Sequence, residues 1–334
     1  MKCVVTGASG FIGAALCAQL ARAGHEVVPW SRSAARIPLS TGQRLVTRPV
    51  ELCDELPPGC LDDVDVVVHL AGIAHQRARA RDYDAVNYKA TLRLARAALA
   101  AGVGHFLFVS SVKAMGAPAD DAARSEEDCV VPDEPYGLSK WRAETALYRE
   151  FGGTSLRLSI VRPALVYGPG AKGNLQRLAR GVQRGLPRPP AGGQRSCIAL
   201  ADLVEILCGA VAAPPRSVRT WIACAEAYST QEIYDLVRGA LGKAPARTWT
   251  PLWAWQVASA LLDALQGSGD QATFTRLFAA EVYSNARLLS ESPWRPRACL
   301  ADTPQVLLQA ATQKATQQPA SGRSSQRPPE EPDA

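Results

Sequence analysis

The sequence predicts an α/β fold, with a doubly wound parallel sheet followed by a smaller, mostly helical domain. Three observations support this prediction. A short apolar run opens the chain and ends in a glycine-rich loop, apolar runs then alternate with helical stretches through Val109, and the last third of the chain has mainly helical character. Strands that alternate with helices at this spacing are typical of a parallel sheet covered by helices on both faces.

Composition sets the limits of this prediction. The chain has 334 residues, 47% hydrophobic and 20% charged, as in an ordinary globular protein. Its net charge of +6 is spread along the sequence, which is weak evidence for nucleic acid and suits an anionic small molecule equally well. The nine cysteines are scattered and there are only four histidines, so we expect neither disulfides nor a metal site. The chain enters a strand at once, without room for a signal peptide, and we expect a cytoplasmic protein.

The first element is the strand over residues 2–6, followed by the loop TGASGFIG at 6–13 and a helix over 14–23. In a strand–GxxGxxG–helix unit, the glycines allow a tight turn and a close backbone approach to a pyrophosphate. The N-terminus of the helix adds unpaired N–H groups and the positive end of its dipole. We therefore predict dinucleotide binding here. The expected contacts are Gly7, Ser9, Gly10, Phe11, Ile12 and Gly13.

The second strand, over residues 26–30, ends where the adenosine ribose of a dinucleotide would lie. A site that prefers NAD usually has Asp or Glu there. This chain has Ser31 and Arg32 instead, and Arg36 follows one helical turn later. An arginine can pair with a 2′-phosphate, although a solvated loop arginine is the alternative interpretation. The sequence therefore favours NADP over NAD.

The next strands cover residues 44–50 and 64–69, and the second runs into the small-residue bend Leu70-Ala71-Gly72. Such a bend suits a backbone that passes close beneath the cofactor. A helix is predicted over 87–101, and a strand over 105–109 leads into Ser111. Because ligands bind at the carboxyl ends of parallel strands, we expect Ser111 beside the cofactor crevice.

Tyr136 and Lys140 lie four residues apart, which places both side chains on one face of a helix. A phenol has an ordinary pKa of about 10, and a nearby ammonium lowers it toward the working range of an acid–base catalyst. We therefore predict that this pair passes a proton to or from a substrate oxygen. The alternative is an amphipathic helix with a buried tyrosine and a solvated lysine.

Five segments together resemble the extended short-chain dehydrogenase/reductase family, in its NAD(P)-dependent nucleotide-sugar epimerase/dehydratase branch. They are TGASGFIG at 6–13, DVVVHLAG at 65–72, FVSSVKAMG at 108–116, PYGLSKWRAE at 135–144 and RPALVYGPG at 162–170. The resemblance implies a Rossmann-type doubly wound sheet with a smaller, mostly helical C-terminal substrate-binding domain. It also implies that Ser111, Tyr136 and Lys140 are catalytic, and that Lys140 holds the nicotinamide ribose.

The same resemblance completes the expected binding residues. For the cofactor they include Ser31, Arg32, Glu51, Leu70, Ala71, Gly72, Tyr136, Lys140 and Pro163. For a UDP-sugar they are His75, Ser111, Val112, Tyr136, Asn174 and Arg195. Asn174 and Arg195 resemble contacts to the diphosphate, although a surface arginine is the alternative for Arg195.

Some positions differ from the family pattern. Met115 and Leu165 stand where many members have tyrosine and asparagine, and Val112 and Lys113 stand where dehydratases carry Asp-Glu. Dehydration is therefore disfavoured. The chain more closely resembles a bacterial UDP-4-keto-6-deoxy-N-acetylhexosamine 4-reductase-like subgroup of surface-polysaccharide and O-antigen synthesis.

The leading expectation is therefore an NADP(H)-dependent reductase of a UDP-linked 4-keto-(6-deoxy) N-acetylhexosamine, acting at C4. The alternative is a UDP-glucose or UDP-N-acetylhexosamine 4-epimerase with bound NAD. A third, less favoured possibility is a cofactor-sensing or interaction protein without catalysis. We expect no nucleic-acid partner and no membrane insertion, and a homodimer is possible.

The domain prediction assigns residues 1–170 to the nucleotide-binding unit, which is joined again by about 200–237. Residues 171–199 and 238–312 form the substrate unit, and 313–334, rich in Gln, Ser and Pro, read as a disordered tail. The apolar stretch 251–265 carries Gln256 and Asp263 and is short, so it predicts a packed or surface-lying helix and not a membrane span. Trp249, Trp253 and Trp255 are expected to pack in the core or cap, and a role as platforms for a sugar ring is the alternative.

Overall fold

The computed structural model describes residues 1–74, 78–118, 120–171, 174–266 and 272–308. Within these ranges the strands are β1 (Lys2–Thr6), β2 (Glu26–Ser31), β3 (Arg36–Pro38), β4 (Arg44–Val46), β5 (Arg48–Pro49), β6 (Val66–His69), β7 (His105–Val109), β8 (Arg157–Pro163), β9 (Leu165–Tyr167), β10 (Gln194–Ala199), β11 (Val218–Ala223) and β12 (Glu226–Ser229). The helices are α1 (Phe11–Arg22), α2 (Ala80–Tyr83), α3 (Ala90–Ala100), α4 (Pro135–Phe151), α5 (Asn174–Gln183), α6 (Leu200–Ala212), α7 (Thr230–Ala240), α8 (Leu252–Gln266), α9 (Ala272–Phe278) and α10 (Ala286–Glu291). A π-helical segment, Asp84–Lys89, joins α2 to α3, and a 3-10 helix, Val112–Met115, follows β7.

A seven-stranded sheet forms the centre of the fold, with its strands in the order β5-β2-β1-β6-β7-β8-β11. All neighbouring pairs in this sheet run parallel. The chain starts at β1, builds outwards through β2 and β5, and then crosses back to build the other half from β6. This is a doubly wound topology, in which ligands bind at the carboxyl ends of the strands. The predicted fold class is confirmed.

Helices cover both faces of this sheet, and β1 shows how its residues are divided between them. Cys3 and Val5 pack in one apolar cluster with Leu16 of α1 and with side chains of α6. Val4 points to the opposite cluster, which includes Leu147 of α4 and side chains of α3. The strands β6 and β7 are buried along their whole length, as expected for parallel strands covered on both faces.

Beyond β8 the chain builds a second, three-stranded sheet in the order β12-β10-β9. Its apolar cluster is shared with α5 and α7. In contrast, β11 returns to the edge of the main sheet, where it pairs in parallel with β8. The exact domain limits stay a prediction.

Two elements differ from the sequence prediction. The helix predicted from residue 87 begins at Ala80 and passes through the π-helical segment before α3. The strand predicted over 44–50 is divided at Thr47, whose hydroxyl oxygen accepts a hydrogen bond from Ala35 N at 2.8 Å and lies 2.7 Å from Ser31 Oγ. As a result, β4 pairs with β3 in a small hairpin, whereas β5 pairs with β2.

The C-terminal predictions have mixed outcomes. Trp255 packs edge-on against Phe278, but Trp249 and Trp253 are 76% and 66% exposed, so the expectation that they pack in the core or cap is wrong. Among the described residues, no helix combines the length and the apolar character needed to cross a bilayer. The tail predicted over 313–334 lies outside the described residues.

Candidate active site

The glycine loop after β1 meets the bend after β6 at the carboxyl edge of the main sheet. Gly7 has a φ of +67°, and a Cβ at this position would lie 2.8 Å from Ala71 N. A Cβ on Gly13 would lie 2.2 Å from the Gly7 carbonyl oxygen. No side chain fits at either position, so these two glycines are what allows the backbone to form a shallow cradle here.

The helix α1 begins directly after this cradle. Its N-cap residue, Gly10, supplies no side-chain hydrogen bond, and its first turn contains no acidic residue. The N–H groups of the first turn and the positive end of the helix dipole are therefore available to an anion. Ser9, Phe11 and Ile12 belong to this same loop and first turn. The cradle fits the pyrophosphate of the predicted dinucleotide.

A buried histidine that the sequence analysis did not identify supports the bend. His69 Nδ1 lies 2.7 Å from Thr6 Oγ1, and its Nε2 lies 2.9 Å from Thr91 Oγ1. Thr91 donates its hydroxyl proton to the Asn87 carbonyl oxygen, so its oxygen accepts a hydrogen bond from His69 Nε2–H. In a neutral imidazole the other nitrogen is an acceptor, and Thr6 therefore donates to Nδ1. Thr6 Oγ1 in turn accepts from Ala71 N at 3.1 Å. Burial lowers the pKa of His69 to about 3, which keeps the ring neutral in this network.

A second residue missed from the sequence, Asn87, connects the bend to the helix that carries Tyr136. Asn87 is fully buried in the π-helical segment. Its Oδ1 accepts from Ile73 N at 2.8 Å, and its Nδ2 donates to Ile73 O and to Ser139 Oγ. Ser139 then donates to the Tyr136 carbonyl oxygen at 2.7 Å. One amide side chain thus fixes the bend relative to α4, and a π-helical insertion often marks a functional position.

Ser111 and Tyr136, the two predicted catalytic hydroxyls, are brought together by β7 and α4. The Ser111 hydroxyl is close enough to the Tyr136 phenol to lower its pKa, and Ser111 Oγ accepts from Lys113 N at 3.2 Å as the N-cap of the 3-10 helix. Burial raises the pKa of Tyr136 to about 12, and the Ser111 hydroxyl opposes this rise without overcoming it. The expectation that the pKa of Tyr136 is lowered is therefore wrong, and the phenol is protonated at neutral pH.

Lys140 lies one turn further along α4 and is almost completely buried, which excludes the solvated lysine of the alternative interpretation. Its Nζ donates to the Val109 carbonyl oxygen at 3.0 Å and lies 4.6 Å from the centre of the Phe108 ring. A Cβ on Gly72 would lie 3.5 Å from this Nζ, so the ammonium is beside the bend. Burial lowers the pKa of Lys140 to about 8, opposed by the negative charge of Glu144.

The helix α4 is fixed to β8 by a buried ion pair. Arg162 Nη2 lies 2.7 Å from Glu144 Oε2, and a second bond joins Arg162 Nε to the same carboxylate. Arg162 Nη1 also donates to the Glu126 carbonyl oxygen at 3.1 Å. Buried charges need such complete pairing, and this one holds the α4 face that carries Tyr136 and Lys140 against the main sheet.

At the end of β2, the predicted cofactor contacts differ in their availability. Ser31 is buried, and its hydroxyl is bonded to the Ser33 carbonyl oxygen and to Thr47 Oγ1, so a contact at Ser31 would use its backbone. Arg32 and Arg36 are both exposed, and neither forms an ion pair with a described residue. Two free guanidinium groups therefore flank the carboxyl end of β2.

Two further predicted cofactor contacts lie on either side of the crevice. Glu51 follows β5, is exposed, and accepts a hydrogen bond from Cys53 N at 3.2 Å. Pro163 is the last residue of β8, is buried, and is in register with Ala223 of β11. Both are at strand ends on the edge of the sheet that carries the glycine cradle.

On the substrate side, Arg195 is engaged inside the protein and is not a free surface arginine. Its Nη2 donates to the Thr275 carbonyl oxygen at 2.8 Å and lies 3.9 Å from Glu281. The carboxylate of Glu281 also binds Lys113 Nζ at 2.6 Å. Since Lys113 lies two residues after Ser111, this chain of charges connects the turn that carries Ser111 to the C-terminal part of the molecule.

The remaining predicted substrate contacts are less well defined. Val112 is buried and packs with Met115 and Ala164, so a substrate contact at Val112 would use its backbone. His75 lies outside the described residues, and so does the side chain of Asn174, the first residue of α5. Their roles stay predictions.

This fold and its glycine cradle define a dinucleotide-dependent enzyme of the α/β class. The chain belongs to the NAD dependent epimerase/dehydratase family, whose model matches residues 3–220. It is therefore an NAD(P)-dependent enzyme of nucleotide sugars, as the sequence resemblance implied.

Relatives of this chain include both epimerases and a reductase. A UDP-glucose 4-epimerase of Vibrio cholerae is 30% identical over 268 residues, which cover 76% of this chain and 80% of the relative. A GDP-6-deoxy-D-mannose reductase of Pseudomonas aeruginosa is 34% identical over 208 residues, 60% of this chain and 62% of the relative. The solved structure of MoeE5 in complex with UDP-glucose and NAD matches with a TM-score of 0.72 and 25% identity, over 94% of this chain and 100% of that one.

Proposed function

We propose that the protein is an NADP(H)-dependent reductase that acts at C4 of a UDP-linked 4-keto-(6-deoxy) N-acetylhexosamine. The observation that carries this proposal is the placement of Ser111, after β7, together with Tyr136, in the first turn of α4, where burial raises the pKa of the phenol and keeps it protonated at neutral pH. Reduction of a ketone needs a proton donor beside the oxygen, and a neutral phenol is the donating form.

The chemistry follows from the positions of three side chains. A bound nicotinamide supplies the hydride that becomes the hydrogen on C4. Tyr136 donates its hydroxyl proton to O4, so the C4=O double bond becomes an alcohol. Ser111 donates a hydrogen bond to the same oxygen and holds it against the phenol. The ammonium of Lys140 is on the same face of α4 and stabilises the phenolate that remains, until a proton from solvent restores the phenol.

The choice of NADP is supported by the charges at the end of β2. Arg32 and Arg36 are exposed and without an ion pair among the described residues, and no acidic residue stands at positions 31 or 32. An exposed guanidinium group can bind a 2′-phosphate in bidentate fashion, whereas it has no such partner on the ribose of NAD.

The substrate assignment has separate support. UDP-sugars appear in the names of the Vibrio cholerae relative and the MoeE5 complex. In this proposal Arg195 and Asn174 contact the diphosphate, and residues 171–199 and 238–312 form the substrate unit. The 4-keto, 6-deoxy and N-acetyl features, the cytoplasmic location, and the use of the product in surface polysaccharide come from the sequence resemblance.

A 4-epimerase of UDP-glucose or UDP-N-acetylhexosamine with bound NAD is the second candidate. The Vibrio cholerae relative favours it, since that alignment covers three quarters of this chain. The same Ser111, Tyr136 and Lys140 would serve an oxidation at C4 followed by return of the hydride to the other face of the sugar.

The decisive experiment measures which nucleotide is released when the freshly purified protein is denatured, together with binding of NADPH and NADH to the cofactor-free form. We expect little retained nucleotide and tighter binding of NADPH than of NADH. Consumption of NADPH on addition of a UDP-4-keto-6-deoxy sugar would then support the reductase. Stoichiometric retained NAD, with interconversion of UDP-hexoses and no net NADPH consumption, would overturn the reductase in favour of the epimerase.

A further inference from the structure

The helix α8 presents most of its large apolar side chains to solvent, whereas two of its polar side chains face the protein. Ser259 and Asp263 are buried, and Asp263 accepts hydrogen bonds from Thr273. The exposed large side chains around α8, here called the apolar face, are Trp249, Leu252, Trp253, Val257, Leu261, Leu262 and Leu265. This reverses the usual orientation of a surface helix, whose apolar stripe faces the core.

The apolar face is larger than an incidental patch. Trp249 and Trp253 are 76% and 66% exposed, and an indole offers roughly 150–250 Å² of surface, so these two side chains alone expose on the order of 250 Å². The five aliphatic side chains extend the patch along the whole helix. Patches that exceed a few hundred Å² on soluble proteins usually mark an interaction site.

The C-terminal segment of this same chain is a poor candidate for covering the face. Residues 309–334 contain no Leu, Ile, Val, Met, Phe, Trp or Tyr. A segment of this composition has no apolar side chains with which to replace water on seven exposed ones. The occupant therefore comes from outside the chain.

The charges around the face indicate what that occupant is. Lys243 and Arg247 are exposed just before Trp249, and neither forms an ion pair with a described residue. Asp263 is the only acidic residue over 243–266, and it is buried. A second copy of the face would thus offer these cations no acidic partner, whereas an anionic headgroup would. Indoles at one end of an apolar helix are also typical of the membrane–water interface.

We propose that the apolar face docks the protein on the surface of an anionic phospholipid bilayer, with α8 lying in the interface plane. Lys243 and Arg247 contact the headgroups, the two indoles lie at the headgroup level, and the aliphatic side chains enter the acyl boundary. This is a surface contact and not a span, and it is independent of the substrate that the active site takes.

The test is co-sedimentation of the full chain with vesicles of phosphatidylcholine alone or with 30% phosphatidylglycerol. We expect binding to the mixed vesicles, and on the order of tenfold weaker binding for Val257→Asp. Val46→Asp is the matched control, since both valines are 63% exposed and Val46 lies on β4, away from α8. Replacement of Lys243 or Arg247 by glutamine is expected to weaken binding by about fivefold per residue.

Each outcome decides the proposal. A circular-dichroism spectrum and a urea-unfolding midpoint equal to those of the unmodified protein show that Val257→Asp is folded, because the replaced side chain is 63% exposed. Failure of the unmodified protein to bind mixed vesicles overturns the proposal, and so does binding that Val257→Asp leaves unchanged. A dimer by light scattering that Val257→Asp dissociates, without vesicle binding, would assign the face to a second copy instead.

Discussion

Replacing Lys140 with methionine tests whether the Lys140 ammonium, which is predicted to be catalytic, is held at an energetic cost. Lys140 is 4% exposed, and burial lowers its pKa from 10.5 to about 8. Because each pKa unit is worth about 1.4 kcal/mol, a charged lysine at this position costs the folded protein about 3 kcal/mol at neutral pH. Methionine has a similar length and no charge, and therefore avoids this cost.

The pH dependence gives the prediction its sign. Below pH 8 the lysine is charged in both folded and unfolded protein, so the cost is fully present. As the pH rises from 8 to 10.5 the folded protein loses its proton first, and the cost disappears. The variant also loses the bond to the Val109 carbonyl oxygen, worth about 1.5–3 kcal/mol at any pH where it forms. We therefore expect Lys140→Met to be about as stable as the unmodified protein at pH 7.

Between pH 7 and pH 10.5 we expect the stability of Lys140→Met relative to the unmodified protein to fall by about 3 kcal/mol. Urea unfolding followed by tryptophan fluorescence at the two pH values measures this change. Lys89→Met is the control, since that side chain is 65% exposed in a surface pair with Asp84. A constant difference between Lys140→Met and the unmodified protein at both pH values would refute the reasoning. At pH 7 the variant is expected to lose hydride-transfer activity while it keeps its fold.

Three further outcomes test the site. Tyr136→Phe is expected to lower turnover by about 10²–10⁴-fold with little change in cofactor affinity. Steady-state kinetics measure the turnover, and fluorescence titration measures the affinity. Near-normal turnover would contradict the role of Tyr136 as proton donor. Replacing Arg32 with aspartate and Arg36 with glutamine is expected to weaken NADPH about 10- to 100-fold relative to NADH; an equal change for both nucleotides would remove these arginines from 2′-phosphate recognition. Glu144→Gln breaks a buried ion pair and is expected to lower the free energy of unfolding by about 3–5 kcal/mol, measured with urea. Glu150→Gln is the control. Its ion pair is exposed, with 34% of the Glu150 side chain accessible, so the expected loss is less than about 1 kcal/mol. Equal costs would show that burial does not set the energy of the Glu144 pair.

Signals that are local in the sequence predicted where the site lies. The glycine loop at 6–13 specifies its own backbone path, because side chains at Gly7 and Gly13 would collide with backbone atoms. The spacing of Tyr136 and Lys140 specifies one face of one helix. Ser111 directly follows β7, and the carboxyl ends of parallel strands share one edge of the sheet; its position beside a cofactor stays a prediction.

The residues that support these groups could not be predicted, because their contacts join distant parts of the chain. His69 meets Thr6, 63 positions away, and Asn87 meets Ser139, 52 positions away. No periodicity marks such pairs. The direction of the Tyr136 pKa shift was missed for a related reason, since spacing reveals a possible partner but not the burial that outweighs it.

The charges beside Ser111, the predicted catalytic serine, do not suit an elimination. The dehydratases that this chain resembles carry Asp-Glu directly after their catalytic Ser/Thr, where this chain has Val112 and Lys113. The fold brings a carboxylate to this turn from elsewhere, Glu281, whose Oε1 lies 2.6 Å from Lys113 Nζ. Burial raises the pKa of Glu281, but the positive charges of Lys113 and Arg195 outweigh it, so the net pKa is lowered and the group stays ionised at neutral pH. A carboxylate held in this state has no proton to give to a leaving hydroxyl, so Glu281 does not replace the acid that an elimination needs at this turn.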